Sequence, residues 1–427
     1  MHEMSFSQYA QRVYARCDAL ALHSQSQEGM DRRYLTKEHQ MANAQVAQWM
    51  QATGMHTWVD SAGNQWGRLK SDVEDAPTLM MGSHIDTVPN GGIYDGILGV
   101  VLPISLVEYL VDQDISLPFH LDIVAFGDEE GTRFGTTLLG SRAIAGTWDE
   151  NWKTLEDAQG ISLEEAIKRF GSDIESIHTA SRLQEKVLGF IETHIEQGPV
   201  LEAQDLPVGV VSGIAGANRF QITVKGSAGH AGTVPMNMRN DALVVASEMI
   251  AAVQEIAQET DVVATVGRIH CSPNAVNVIP GKVEFSIDVR SEIDARRETA
   301  VNILRQVLNK IAIRRNVDFK WQVTHGAKAV LCDPQLQHLL TEAVTASDYR
   351  PITLSSGAGH DAMAMANMCP IAMLFMRCER GISHHPDEAI TVDDVEATLK
   401  VLVNFMSIYL KEYQQNKNTI MSLPFVN

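Results

Sequence analysis

His84 and Asp86 stand where an apolar run, residues 79–81, opens into a Gly- and Asn-rich loop that closes at Asp95. An imidazole can ligate a metal ion. A carboxylate two residues further along extended chain points the same way, where it can fix the tautomer of a metal-bound imidazole. Gly91, Gly92 and Gly96 let the backbone fold tightly and bring Asp95 back towards His84, where one carboxylate can bridge two cations. A lone His-x-Asp reads best as a surface loop with an incidental histidine. Three more stretches change that balance: Gly-Asp-Glu-Glu-Gly-Thr-Arg-Phe after the apolar residues 119–126, His-Ile-Glu-Gln-Gly at 194–198, and Gly-Ile-Ser-His-His-Pro at 381–386. Each sets a histidine or carboxylate at the end of an apolar run bordered by Gly or Pro. Open α/β sheets bind their ligands just beyond the carboxyl ends of strands.

Four such segments need a scaffold to converge, and length and composition bound it. A chain of 427 residues, 45% hydrophobic, is long enough for two domains or one domain carrying an insertion. A net charge of −19 argues against nucleic-acid and anionic-membrane partners. Cys17, Cys271, Cys332, Cys369 and Cys378 are odd in number and form no CxxC pair, which fits reduced thiols and neither a disulfide framework nor a thiolate zinc site. The first residues lack the apolar core of a signal peptide, and the longest apolar run, 97–107, is too short to span a bilayer. These features predict a soluble cytoplasmic protein.

Pattern then assigns elements. Residues 4–23 and 37–53 read as helices, and 57–60 with 65–69 as a hairpin. From 80 to 145 strand and helix alternate, which predicts a doubly wound α/β sheet. Ser162 and Glu165 form a capping box, and 171–186 carry little signal. After Gly213 come a strand at 219–225, a helix at 241–259, strands at 262–271 and 282–290, a helix at 294–315 and a strand at 317–324. That order, βαββαβ, is the ferredoxin-like unit. The chain then returns through a helix (335–347), a strand (352–355), a helix (361–367), a strand (371–376) and a last helix (392–413), with a loose tail at 414–427. The expected domains are 1–212 and 329–427, a doubly wound catalytic domain in two parts, interrupted by 213–328.

These motifs together resemble the dinuclear metallopeptidase-like family that includes the aminoacylases, and within it the branch of allantoate amidohydrolases and N-carbamoyl-L-amino-acid hydrolases. The resemblance spans residues 82–388 and rests on Gly-Ser-His-Ile-Asp-Thr at 82, Asn-Gly-Gly-x-x-Asp-Gly at 90, Glu-Glu-Gly-x-Arg-Phe at 129, His-Ile-Glu-Gln-Gly at 194, Gly-His-Ala-Gly-Thr at 229, Gly-Ala-Gly-His-Asp at 357 and Ile-Ser-His at 382. Peptidases of the family commonly have an acidic ligand where this chain has His194, so the motif looks like the ureido branch. The resemblance implies a catalytic α/β domain, a ferredoxin-like lid through which the protein forms a homodimer, and two divalent metal ions per subunit, Zn or Mn.

It also implies the site. His84, Asp95 (bridging), Glu130, His194 and His384 would ligate. Glu129 would be the general base, with Asp86 and His230 in catalytic support. Gln197, Asn277, Arg290, Gly359 and His360 would contact substrate, and His230 and Asn277 would enter the partner subunit's site. Adjacent acids on extended chain point to opposite sides, which would give Glu129 and Glu130 separate roles. Arg290 shares the polar face of its strand with Ser286 and Asp288, and its fork suits a carboxylate; taken alone, it would be a solvated arginine. His384 fits the spacing to Ser383 better than His385 does. His120, His178, His325 and His338 match no motif. The Gly-rich stretch at 226–232 lacks the Lys-Ser/Thr of a P-loop. The implied activity is hydrolysis of a linear ureido C–N bond: allantoate, with release of ammonia and carbon dioxide, ahead of N-carbamoyl-L-amino acids. An aminoacylase or peptidase, or a metal-bound binding protein without turnover, are the remaining alternatives.

Overall fold

The computed structural model describes residues 4–422, with side chains to 415. The readings of a leader-free start and a loose tail extend to residues 1–3 and 423–427, which lie outside the described residues. The chain divides into two compact units: Met1–Ser212, Cys332–Leu354 and Ala358–Asn427 form the first, Gly213–Leu331 and Ser355–Gly357 the second. In the first unit a Ser5–Gln8 capping box starts α1 (Phe6–Ala21), and Thr36 caps α2 (Lys37–Ala52). A hairpin of β1 (His56–Val59) and β2 (Gln65–Leu69) follows. Next come β3 (Thr78–His84), α3 (Ile97–Asp112), β4 (His120–Phe126), α4 (Leu139–Ile144) and α5 (Leu163–Phe170), then β5 (Val187–Ile195), α6 (Val200–Ala203) and β6 (Val208–Ile214).

The second unit begins with β7 (Gly216–Lys225). The two-residue β8 (Gly229–His230) precedes α7 (Ala242–Thr260), and β9 (Val263–Thr265), β10 (Ile269–Ser272), β11 (Val278–Ile279), β12 (Lys282–Ser291), α8 (Asp294–Arg315), β13 (Asp318–Ala327) and β14 (Val330–Leu331) follow. Its sheet runs β10-β12-β7-β13, the ferredoxin-like arrangement, and β8 pairs β11 as a separate ladder. Phe285, Ile287 and Val289 alternate into a core with Phe220, Ile222 and Val224 of β7 and with Met249 and Leu304 of the helices. The single strand expected at 262–271 is two. Both halves pair with β12, but residues 266–268 face only Ser286 and Ile287, so the extra residue forms a bulge around Gly267.

The chain re-enters the first unit through α9 (Pro334–Ala346), β15 (Thr353–Ser356), α10 (Ala362–Met365), β16 (Ile371–Met376) and α11 (Val392–Ser422). The last helix therefore continues well past Tyr413, through part of the expected loose tail. The sheet of this unit runs β1-β2-β4-β3-β5-β16-β6, with β15 beside β6. Its four central strands, β4, β3, β5 and β16, are parallel, and antiparallel strands flank them. Leu79, Met81, Leu121, Ile123, Ile191 and Leu374 point from one face into a core shared with α1, α3, α9 and α11. Each such side chain taken out of water contributes roughly 1.5–3 kcal/mol. Strand alternation sends His84 and His194 to the other face. No helix among the described residues is long and apolar enough to cross a membrane.

Candidate metal centre

Apart from Asp95, the ligating residues implied by the motifs end one of the four parallel strands or lie on the segment that follows it. His84 is the last residue of β3, Glu129 and Glu130 follow β4, His194 is next to last in β5, and His384 follows β16. Asp95 returns on the loop between β3 and α3. Gly96 makes that return possible. It has φ +73°, and a Cβ there would lie 2.4 Å from the His84 ring, so the loop can press against the imidazole only with glycine at this position.

Three groups of side chains lie close enough to share an ion: His84, Asp95 and His194; Asp95, Glu130 and His384; His84, Glu129 and Glu130. Asp95 belongs to the first two. Its Oδ1 is 3.2 Å from His194 Nε2 and 3.7 Å from His84 Nε2, and its Oδ2 is 3.1 Å from His384 Nε2. His384 Nε2 is also 3.3 Å from Glu130 Oε1.

The donor set itself tests whether divalent cations fit. His84 Nδ1 lies 2.9 Å from the Asp86 carbonyl oxygen and His194 Nδ1 lies 2.9 Å from that of Ile195. A carbonyl only accepts, so both Nδ1 atoms carry a proton, and each Nε2 is left to hold either a second proton or a metal ion. The two Nε2 atoms lie 3.5 Å apart and face Asp95 Oδ1, which is buried and accepts no hydrogen bond. Ring nitrogens converging on a buried carboxylate oxygen need positive charge among them, as protons or as metal ions, and this set of nitrogen and oxygen donors would fit divalent cations. Protons can supply the same charge. Burial opposes it, yet the three imidazoles hold Asp95 well below the usual carboxylate range. Asp95 and Glu130 push His384 up to about 10.

Two geometric expectations need correction. Asp86 does not fix the His84 tautomer with its carboxylate, which stands 3.8 Å from Nδ1; its backbone carbonyl does that. The carboxylate instead accepts the backbone N–H groups of Glu129 (3.1 Å) and Glu130 (3.3 Å), clamping the acidic pair in place. Nor do Glu129 and Glu130 splay to opposite sides. Asp128 has φ +66°, so the chain bends after β4 and both carboxyl groups turn towards His84. Burial, reinforced by the neighbouring carboxylates of Glu130, Asp361 and Asp86, raises Glu129 well above the ordinary range for a carboxylic acid.

Gln197 Nε2 donates to Asp95 Oδ2 and Ser383 Oγ, both at 3.1 Å. Gly359 borders Glu129: a Cβ there would be 3.4 Å from Oε1. His360 is buried edge-on to the His194 ring at 4.5 Å, and burial holds it well below the usual histidine value. Glu388 was not anticipated. One of its oxygens accepts the N–H groups of Tyr94 (2.8 Å) and Asp95 (3.0 Å), and the other accepts from Ser383 Oγ (2.9 Å). Only its place four residues beyond His384 could have drawn attention to it.

His230, Asn277 and Arg290 lie in the second unit. His230 and Asn277 are exposed and adjacent: His230 pairs with Val278, and Ala231 N donates to the Asn277 carbonyl at 2.9 Å. Arg290 stands on β12 with its guanidinium bonded to Asp288 and to the Gly357 carbonyl.

Residues 80–407 match peptidase family M20/M25/M40. Allantoate deiminase 1 of Glycine max is 38% identical over 410 residues, covering 88% of this chain and 85% of its own. The N-carbamoyl-L-amino acid amidohydrolase of Geobacillus stearothermophilus is also 38% identical, with 88% and 92% covered. Among solved structures, an amidase of the hydantoinase/carbamoylase family from Burkholderia multivorans superposes with a TM-score of 0.89 at 32% identity, over 93% of this chain and 97% of that one.

Proposed function

The chain belongs to peptidase family M20/M25/M40, and from that premise we propose that it hydrolyses the linear ureido C–N bond of a small carboxylic acid, allantoate in the first instance. The observation that carries this reading is the sharing of Asp95 between two ligand groups with Glu129 beside them. A binding protein has no need of a buried acid poised there. His84 and His194 would hold one ion, Glu130 and His384 the other, and Asp95 both, with Zn or Mn suited to this nitrogen and oxygen set. When bound, divalent cations polarise a carbonyl and bring the pKa of water down to about 7, which an unreactive ureido carbon requires.

The chain's own groups do the rest. Glu129 takes the proton of the attacking water and returns it to the departing nitrogen, and its burial favours the protonated form that the second transfer needs. Asp86 keeps Glu129 and Glu130 aligned. Gln197 and Asn277 contact the amide, Gly359 and His360 border the substrate, Arg290 receives its carboxylate, and His230 donates to the developing oxyanion. The products from allantoate are ammonia, carbon dioxide and the shortened amine. The Geobacillus relative favours N-carbamoyl-L-amino acids as a second reading.

We place the enzyme in the cytoplasm, in keeping with its five free cysteines. We also assign it a homodimer formed through the second unit, where Met236, Met238 and Val276 are strongly exposed, with His230 serving the partner's site. Mixing His230→Ala with Glu129→Gln protein should then restore activity. No recovery despite demonstrated subunit exchange would assign His230 elsewhere.

The decisive assay is ammonia release from allantoate, N-carbamoyl and N-acetyl amino acids, with and without chelator and added Mn or Zn. Chelation should abolish turnover and added metal restore it. Turnover of acetyl substrates alone would reject the ureido reading.

A further inference from the structure

A guanidinium has two edges on which a carboxylate can dock with paired hydrogen bonds: the side edge, Nε with Nη2, and the end edge, Nη1 with Nη2. In Arg290 the side edge is already occupied. Asp288 lies two residues earlier on the same face of β12. Arg290 Nε donates to Asp288 Oδ1 at 3.0 Å and Nη2 to Oδ2 at 2.9 Å, while Nη1 donates to the Gly357 carbonyl at 2.6 Å. Arg219, directly across on β7, donates Nε to Asp288 Oδ2 at 3.0 Å and holds the acid from the neighbouring strand. The guanidinium of Arg290 faces a cleft of about 670 Å³, also lined by Arg219, Arg268 and Thr265.

Of the five N–H groups on Arg290, three are spoken for. One on Nη1 and one on Nη2 remain. We propose that Asp288 is the positioning residue for substrate recognition: it locks Arg290 so that the end edge alone is offered to the substrate carboxylate. This rests on Arg290 being the carboxylate receptor. A long side chain that would otherwise sample many rotamers is fixed before the substrate arrives, so that ordering is not charged against binding. Asp288 can do this because it stays ionised; burial opposes it, but the bonds from Arg290 and Arg219 hold it below the usual carboxylate range. The opposite role is equally definite. Were Asp288 a mere competitor for Arg290, removing its charge would tighten substrate binding. The sign of the change in KM separates the two.

The test uses full-length, metal-loaded enzyme with an N-carbamoyl-L-amino acid or allantoate, against the same substrate with its carboxylate converted to a primary amide. Asn at 288 keeps one acceptor and turns a donor on the other arm of the guanidinium. Asp288→Asn should raise KM for the acid about tenfold or more, as loss of a charge-assisted pair does. It should leave kcat within about threefold, metal content unchanged and the amide substrate unaffected. Asp288→Glu, which keeps the charge on a longer arm, should recover part of the loss. In an Arg290→Ala background, Asp288→Asn should add less than about twofold. If Arg290→Ala raises KM but Asp288→Asn leaves it unchanged or lowers it, the positioning role is overturned and Arg290 keeps its assignment. If Arg290→Ala itself leaves KM for the acid unchanged, the carboxylate receptor lies elsewhere, and the role of Asp288 falls with it.

Discussion

Glu129 and Glu130 are chemically the same side chain one residue apart, and the site separates them by contacts. Glu130 Oε1 lies 3.3 Å from His384 Nε2, in a candidate ligand group with Asp95, whereas Glu129 falls in a candidate group only with His84 and Glu130. Glu129→Gln should therefore keep both metals while turnover falls by about 10²–10⁴, the usual worth of a general base. Glu130→Gln should instead weaken metal binding itself. Elemental analysis alongside kinetics checks this, and the reversed pattern would exchange the two assignments. At this scale the candidate ligands were readable, because imidazoles and carboxylates bordered by glycine leave a pattern in the chain. The role of Asp86 was not. Its carboxylate bonds backbone N–H groups 43 and 44 residues away, and sequence spacing reports only on local geometry.

At the scale of elements, each of four adjacent parallel strands leads at its carboxyl end to a candidate ligand, and loops complete the set. That logic was legible because buried parallel strands read as continuous apolar runs. Two elements escaped: β6, an apolar strand, went unassigned beside the crossing at Gly213, and residues 174–180 form a 3₁₀ turn within a polar stretch that carried little signal. Glu388 escaped for a different reason, since accepting N–H groups from another loop leaves no sequence motif. It ties the Asp95 loop to the Ser383–His384 loop. The fit is close, because a Cβ on Gly92 would lie 2.3 Å from its carboxyl group. Glu388→Ala should lower metal affinity about 10–100-fold, the usual cost of losing an outer partner of a ligand. Glu388→Gln can still accept both N–H groups with its oxygen and turn its amide to Ser383, so it should stay within about threefold of the parent. Equal loss of affinity in both variants would show that the negative charge, and not the tie, is what matters.

For the whole molecule, the order of elements revealed two cores because hydrophobic periodicity changes after Gly213, and the two buried clusters share no residue. All the candidate ligands converge in the first unit, where imidazoles and carboxylates crowd around a buried carboxylate oxygen that accepts no hydrogen bond. That arrangement costs folding free energy which a cation recovers, so metal should stabilise the first unit and leave the second nearly unchanged. A ligand that binds only the folded state at about 100 times its Kd contributes about 2.7 kcal/mol. For a unit of roughly 300 residues, with an unfolding entropy near 2.1 cal/mol/K per residue, that is a rise in Tm of about 4 °C. Calorimetry of chelator-treated protein should resolve two transitions, and adding Mn or Zn should move the larger one by this amount while the smaller holds its place. A shift confined to the smaller transition would put the ions in the second unit. No shift in either would mean that these residues hold no metal, and the proposed hydrolysis would lose its basis.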